Sequence, residues 1–456
     1  MNVSVDLPFP FRLILTCLSL FAAFLVIILP PSVTLIAFLA LVVAIICFIY
    51  PQAAFYILLV SMLFSPEVIV GQTAAREVTF RMDDLLLVII VMTWLVRAAI
   101  YKELAVFRFT PLNAPIALYM AASLLATLVG MVRGNVSMAS GLLFNLKILE
   151  YFIVFFMVVN YVKDEKEIKT FVILTLIVAL MVNLYALYQL PLGERLTAPF
   201  EGEQGEPNTL GGYLIIIISV TLALFLQRSF GQKTNLLIPL LVLSGISLMF
   251  TQSRGSWIGL ILMSAPFILL SPKRIFFILG AVFLIVALPY IAPESTKERF
   301  TGTFRPDPFF AQTERFMGKG LDPSASERVT SYKRGFEKWK KHPILGYGVT
   351  GAGFIDGQFL RVLVETGIVG IASFLFLLWR VALFLWDTYR SVDDPFSKTL
   401  YLGMLGALAG LIGHSISANS FIIVRIMEPF WFLMGLAATY TLIKGGHLST
   451  NSTLQP

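Results

Sequence analysis

The sequence predicts an all-α fold, a polytopic transmembrane helical bundle, and three observations carry that prediction. Hydrophobic residues make up 57% of the 456 positions and charged residues only 13%, against about a quarter charged in soluble domains. Apolar runs long enough to cross a bilayer, about 20 residues each, recur along the chain. Phe, with 39 copies, far outnumbers Tyr and Trp, as suits lipid-facing helices and interfacial belts. The net charge of +7 is met first by basic cytoplasmic loops, so no nucleic-acid partner is expected.

The spanning window gives about fourteen candidates, with about twelve as a lower count. They fall near 12–29, 32–50, 52–69, 84–101, 113–131, 141–160, 168–190, 208–226, 235–251, 255–270, 275–291, 359–379, 399–416 and 421–443. The third, fifth and tenth are the weakest and are short enough to be re-entrant. The first run follows a single basic residue, Arg12, and ends at Pro30-Pro31 rather than at a small-x-small cleavage site. It therefore reads as an uncleaved span. Cys17 and Cys47 sit inside apolar runs and read as small hydrophobes. Three histidines, His342, His414 and His447, with no CxxC or HExxH, leave no metal site to expect.

Orientation follows from Lys and Arg in the short loops. Arg97, Lys102 and Arg108, then Lys163, Lys166 and Lys169, Arg228 and Lys233, Lys273 and Arg274, and Arg380, Arg390 and Lys398 all fall on one side. With an even span number both termini share that side, which the rule makes cytoplasmic. The chain then divides into N-terminal transmembrane helices (1–190), central helices with a short periplasmic loop (191–290), a large periplasmic loop (291–358), and C-terminal helices with a cytoplasmic tail (359–456). No internal repeat, low-complexity tract or heptad run stands out.

The large loop is too long for a mere connector. Within it, Ser324-Ala325-Ser326-Glu327 reads as a capping box. The helix it starts carries Val329, Tyr332, Phe336 and Trp339 on one stripe, with Lys333, Arg334, Lys338 and Lys340 largely outside it. That pattern predicts an amphipathic helix on the membrane surface or over the bundle mouth, closed by Pro343.

Three constellations offer chemistry. Thr251-Gln252-Ser253-Arg254-Gly255-Ser256-Trp257 begins the tenth span. Arg254 there reads either as an interfacial anchor or, beside Ser253 and a helix N-terminus, as part of an anion site. Arg328 follows the capping box, where a cation opposes the helix dipole unless an anion is near. Glu327 is the plain partner and a phosphate the sharper one, since the guanidinium fork bonds two oxygens at once. Pro343-Ile344-Leu345-Gly346-Tyr347-Gly348-Val349-Thr350-Gly351 contains a formal GxGxxG, but no strand precedes it, so a dinucleotide site is excluded. Gly346 and Gly348 instead suit a turn whose backbone approaches a ligand closely.

Asp356, Gln358, Arg361 and Glu365 follow at a helix start. Asp356 reads equally as a cap or as a catalytic carboxylate, and Arg361 and Glu365 are spaced for an i, i+4 ion pair. Arg195, in a polar loop with Glu201-Gly202-Glu203-Gln204-Gly205-Glu206, and His414, at the end of the thirteenth span, complete that face. Arg425 and Glu428, inside the fourteenth span, are spaced to pair with each other or mark function at membrane depth.

Ser253-Arg254-Gly255-Ser256-Trp257, a long loop with Glu327-Arg328, Pro343-Ile344-Leu345-Gly346-Tyr347-Gly348, and the run from Gln358 to Gly370 together resemble the O-antigen ligase and polymerase superfamily. The likeness is strongest over about residues 190–440. It implies a metal-independent, cofactor-free glycosyltransferase of the GT-C type in the bacterial inner membrane, with its active site facing the periplasm. Donor and acceptor would be glycans on undecaprenyl pyrophosphate, with a flippase and a chain-length regulator as partners. By the same resemblance Arg254 and Arg328 bind the pyrophosphate. Asp356 would act as base, with Glu365 and His342 as reserves, while Arg195, Ser253, Gly346, Gly348, Gln358, Arg361 and His414 line the substrate site. Ligases of the family commonly carry His, usually followed by Asn, before the post-loop helix. This chain has Asp356-Gly357 there, which favours a Wzy-like polymerase of O-antigen or exopolysaccharide over a ligase to lipid A core or protein. A flippase of the same lipid-linked sugar is the rival from another class, against which the lack of internal repeats counts.

Overall fold

Tandem apolar runs broken by short polar turns give, in the computed structural model, a chain of helices joined mostly by tight turns. The structure describes residues 31–72, 77–100, 108–193, 195–201, 205–271, 274–291, 297, 315–316 and 319–452. In order the helices are α1 (Pro31–Ile49), α2 (Pro51–Phe64), α3 (Met82–Ile100), α4 (Asn113–Val132), α5 (Met138–Tyr161), α6 (Glu165–Tyr188), α7 (Pro207–Leu226), α8 (Leu237–Phe250), α9 (Arg254–Leu270), α10 (Arg274–Ile291), α11 (Pro323–Lys341), α12 (Gln358–Ser391), α13 (Pro395–His414) and α14 (Val424–Ser452). Two short antiparallel hairpins interrupt them: β1 (Glu67–Gln72) with β2 (Glu77–Arg81), and β3 (Arg315–Phe316) with β4 (Lys319–Gly320). Among the described residues, eight helical segments are long and apolar enough to cross a membrane, which makes this a multi-pass membrane protein. The expected span at 12–29, Cys17, and the loop from 298 to 314 lie outside the described residues.

The expected span at 52–69 takes another form. Its helix, α2, ends at Phe64, and the chain then enters β1. Ser65-Pro66 accounts for the stop, because the residue before a proline is driven out of the helical region. Val68-Ile69-Val70 then suits a strand, as do Val78-Thr79-Phe80 opposite.

The chain separates into two units, Met1–Phe55 with Leu85–Leu104, and Tyr56–Asp84 with Ala105–Pro456. Within the first, Arg97 donates to the Phe48 carbonyl at 2.6 Å. The second holds every candidate site residue. Its centre is α7, α9 and α13, which approach so closely that a methyl group on Gly259 or Gly410 would strike the other helix. Small residues allow such contact where burial of apolar area offers little between lipid-bathed helices. Ser219 adds a hydrogen bond to the Gly403 carbonyl at 2.6 Å. Aromatic edges of Phe152 and Phe155 meet Trp431 to join α5 to α14.

The turns of this second unit gather at two ends. At one, the Leu196 N–H donates to Phe250 O at 3.3 Å and the Gln358 N–H to Ser415 O at 3.1 Å. At the other, Ser229 bonds Thr399 at 2.7 Å, Tyr389 reaches Leu270 O at 3.2 Å and Tyr440 reaches Asp394 at 2.9 Å. Lys163, Lys166, Arg228, Lys233, Arg274, Arg390 and Lys398 belong to turns or helix ends at this second end.

Candidate functional site

At the first end, Ser253 caps α9 with extended backbone, its hydroxyl oxygen accepting from the Ser256 N–H at 3.3 Å. The same hydroxyl donates to Asn208 at 2.8 Å. Arg195 holds the preceding turn by donating to Thr251 O at 3.0 Å. Arg254, the first residue of α9, pairs with Asp322 at 2.7 Å. Asp322 is also the N-cap of α11: its other oxygen accepts from the Ala325 N–H at 2.6 Å. One carboxylate thus fastens two helix N-termini to one another.

The cap of α11 therefore differs from the expected Ser324 box. It begins two residues earlier, because Asp322 caps well and Pro323 suits the first helical position, where no N–H is needed. Arg328 consequently falls beyond the first turn. Its carboxylate neighbour is Asp356, at 3.5 Å, while Glu327 pairs with Arg334 at 2.6 Å. Ser331 accepts from the Asp356 N–H at 2.9 Å, and Tyr332 donates to Ile416 O at 3.0 Å. Burial, and then the Asp356 carboxylate, raise the Tyr332 phenol above its ordinary range, so it stays a donor. Tyr332 and Trp339 pack on a cluster of Ala352, Ile355, Leu360 and Val364. Phe336, expected on that stripe, is exposed. Gly335 lets α11 lie against Leu360.

The segment from Ile355 to Gln358 is pinned from the turn between α13 and α14. Asn419 donates to Ile355 O at 3.1 Å, and Gln358 accepts from the Phe421 N–H at 3.1 Å. Gly357 takes a positive φ of 87° and lies against the Tyr332 ring. His414 is fully buried, with Nδ1 2.6 Å from Ser420. It supports this turn from beneath.

The glycine-rich segment has a backbone task. Helix α12 breaks at Gly367 (φ 65°, ψ −165°), which leaves carbonyls and N–H groups without helical partners. Tyr347 and Gly348 donate to Val364 O and Glu365 O at 3.1 and 2.7 Å, and Ile368 and Val369 donate to Pro343 O and Ile344 O at 2.9 and 3.2 Å. A Cβ on Gly346 would strike the Val364 and Glu365 backbone, and one on Gly348 would meet α4. These two glycines are closed against the chain itself.

Beside this break the expected Arg361–Glu365 pair forms at 3.1 Å, buried, and Glu365 also accepts from the Thr350 N–H at 3.1 Å. Both line a cavity together with Tyr119, Ser123, Lys147 and Gln358. Lys147 pairs with Asp84 at 3.0 Å. Further in, Arg81 meets Asp83 at 2.6 Å and Glu428 at 3.4 Å. The expected Arg425–Glu428 pair is thus replaced. Glu428 takes Arg81, while Arg425 donates to the carbonyls of Leu63, Ser65, Pro199 and Phe200. Bare backbone carbonyls in the bundle need those donors more than an exchangeable carboxylate does. His342, held as a reserve, stacks edge-on with Tyr347 and touches Arg133 at 3.3 Å, apart from the Arg254 pair.

Sequence reading missed Asp322, Lys147, Arg81 and Asp83. Asp322-Pro323 carried a cap signal, and Lys147 was an ionisable residue inside an apolar run. Among the described residues, no group of three His, Cys, Asp or Glu is placed to hold a metal.

No curated protein matches the chain. Residues 239–375, which contain Ser253, Arg254, Asp322, Arg328, Asp356, Gln358, Arg361 and Glu365, match the family described as O-antigen ligase, and this segment therefore carries the domain of the O-antigen ligase and polymerase superfamily.

Proposed function

We propose that the protein is a membrane glycosyltransferase that joins glycans carried on undecaprenyl pyrophosphate, acting as a Wzy-like polymerase of O-antigen or exopolysaccharide. One observation carries the reading. Two arginines from different elements, Arg254 and Arg328, each pair with a carboxylate at one end of the bundle, inside the matched domain. A pyrophosphate offers more charge and more oxygens than Asp322 or Asp356, so it competes for both guanidinium forks. The N-terminus of α9, capped by Ser253, adds positive potential.

The step this supports is an in-line substitution. A hydroxyl oxygen of the acceptor sugar bonds to the donor's anomeric carbon, and the bond from that carbon to the pyrophosphate oxygen breaks. The electron pair leaves on the pyrophosphate, where Arg254 and Arg328 neutralise it. The hydroxyl proton passes to the Asp356 carboxylate and from there to water. Asp356-Gly357 in place of His-Asn supports polymerase over ligase. The basic turns at the opposite end support a cytoplasmic placement for that end and a periplasmic one for the site. The missing spans of the expected fourteen, the inner-membrane location and the flippase and chain-length partners belong to the same proposal.

The test is sugar-chain length in a deletion strain complemented with wild type, Arg254→Ala, Arg328→Ala or Asp356→Ala. Single repeats on the lipid carrier, with polymer restored by wild type alone, are expected. Full-length polymer that stays unattached to its final acceptor would mean a ligase, and repeats trapped on the cytoplasmic leaflet a flippase.

A further inference from the structure

The cavity between α4, α5 and the start of α12 has a lining that the pyrophosphate chemistry leaves unused. Its two cations are already paired, Lys147 with Asp84 and Arg361 with Glu365. The lining therefore carries no surplus positive charge to draw a second pyrophosphate. It does offer the Tyr119 hydroxyl and ring and the faces of two ion pairs, while the Ser123 hydroxyl donates to Asn145 at 2.8 Å. Gln358 supplies a second, independent observation. Its side chain is fully buried, its Oε1 accepts from the Phe421 N–H, and its Nε2 has no hydrogen-bond partner. A buried amide donor left unpaired is costly, and this one sits in the wall of the cavity.

We propose that this cavity is the subsite for the acceptor's sugar, a neutral polyhydroxylated ring lying against Tyr119, with Gln358 Nε2 donating to one of its oxygens. Placement supports it. Gln358 is two residues from Asp356, which puts the cavity wall within about 7 Å of the proposed base along the backbone. Gly357 lies between them and turns the chain from the Arg328 pair to the cavity. Donor and acceptor then meet on either side of one short segment, the pyrophosphate at Arg254 and Arg328, the acceptor ring at Gln358, Tyr119 and Arg361. The roles of Lys147 and Arg361 are to offer fixed donors beside fixed acceptors, which a sugar's vicinal hydroxyls can bridge.

This inference rests on the transferase reading, and the experiment separates the two. The whole purified chain in lipid nanodiscs receives two probes made from the producing cell's own repeat unit. One is carried on a plain alkyl chain without pyrophosphate, so it can only accept. The other keeps undecaprenyl pyrophosphate but has its free hydroxyls methylated, so it can only donate. Gln358→Glu keeps an oxygen for the Phe421 N–H and removes the donor, and Tyr119→Phe removes one hydroxyl but keeps the ring. Each is expected to raise the acceptor KM about tenfold with the donor KM unchanged. An active wild type whose two variants keep the wild-type acceptor KM, or raise the donor KM instead, overturns the subsite and leaves the transferase reading intact. A wild type that joins no probes overturns both. Should the variants fail to fold, a photoreactive group on the acceptor's terminal sugar is used with the wild-type protein. Labelling of the α4 and α12 segments is expected, and labelling confined to the Arg254 segment contradicts the proposal.

Discussion

Asp322 divides its two oxygens between the Ala325 N–H and Arg254, and that division can be tested. Asp322→Asn keeps an oxygen for the cap and removes the charge that competes for Arg254. The expected outcome is unchanged thermal stability with a lower donor KM, read from initial rates. Asp322→Ala, which removes the cap as well, should lower stability by about 0.5–2 kcal/mol in a thermal-shift assay. At this scale the sequence revealed the arginines and hid their partners. Arg254 and Arg328 stood out as cations at helix starts. Their carboxylates could not be assigned, because Asp322 lies 68 positions from Arg254 and Asp356 lies 28 from Arg328. Pairing across such separations is set by packing, which local spacing does not record.

The broken helix α12 shows the same limit in an element. The sequence reads 359–379 as one unbroken span with two inner glycines, Gly367 and Gly370. Gly367 in fact takes a left-handed φ of 65°, and a methyl group there would strike the Ile344 carbonyl. Gly367→Ala is therefore expected to cost about 1–3 kcal/mol from backbone conformation alone, with the collision added, and to show as poor recovery of folded protein on size-exclusion chromatography. Recovery and melting equal to wild type would mean that the Pro343–Gly351 splint is dispensable. The glycine-rich run was legible as a turn with close backbone approach. What approaches it is α12 and α4, because the N–H groups and carbonyls freed by the break must be satisfied inside the protein. The amphipathic helix at 323–341 was legible too, apart from its cap, which the Asp-Pro pair moved, and Phe336, which is exposed.

Across the whole molecule, the helical class and the sharing of basic turns at one end followed from composition and from Lys and Arg placement. The buried charges did not. Arg81, Asp83 and Glu428 come from a hairpin edge and two helices, separated by up to 347 positions. Arg81→Ala leaves two buried carboxylates without their cation, and removing one partner of such a group costs about 3–5 kcal/mol. A matched loss of melting temperature is expected, with partial recovery when Glu428→Gln is added, because the double change removes both charges of one pair. Equal additive losses would mean that Arg81 and Glu428 are merely adjacent.

The central claim is that Arg254 and Arg328 take a pyrophosphate leaving group while a new glycosidic bond forms. Its most direct measurement is the release of undecaprenyl pyrophosphate from lipid-linked repeats by the purified chain, counted against linkages made. One carrier released per linkage is expected for wild type, with the rate falling about 10²–10³-fold in Arg254→Ala and Arg328→Ala. Release at the wild-type rate in both variants, or transport of the lipid-linked sugar with no carrier released, would contradict the account.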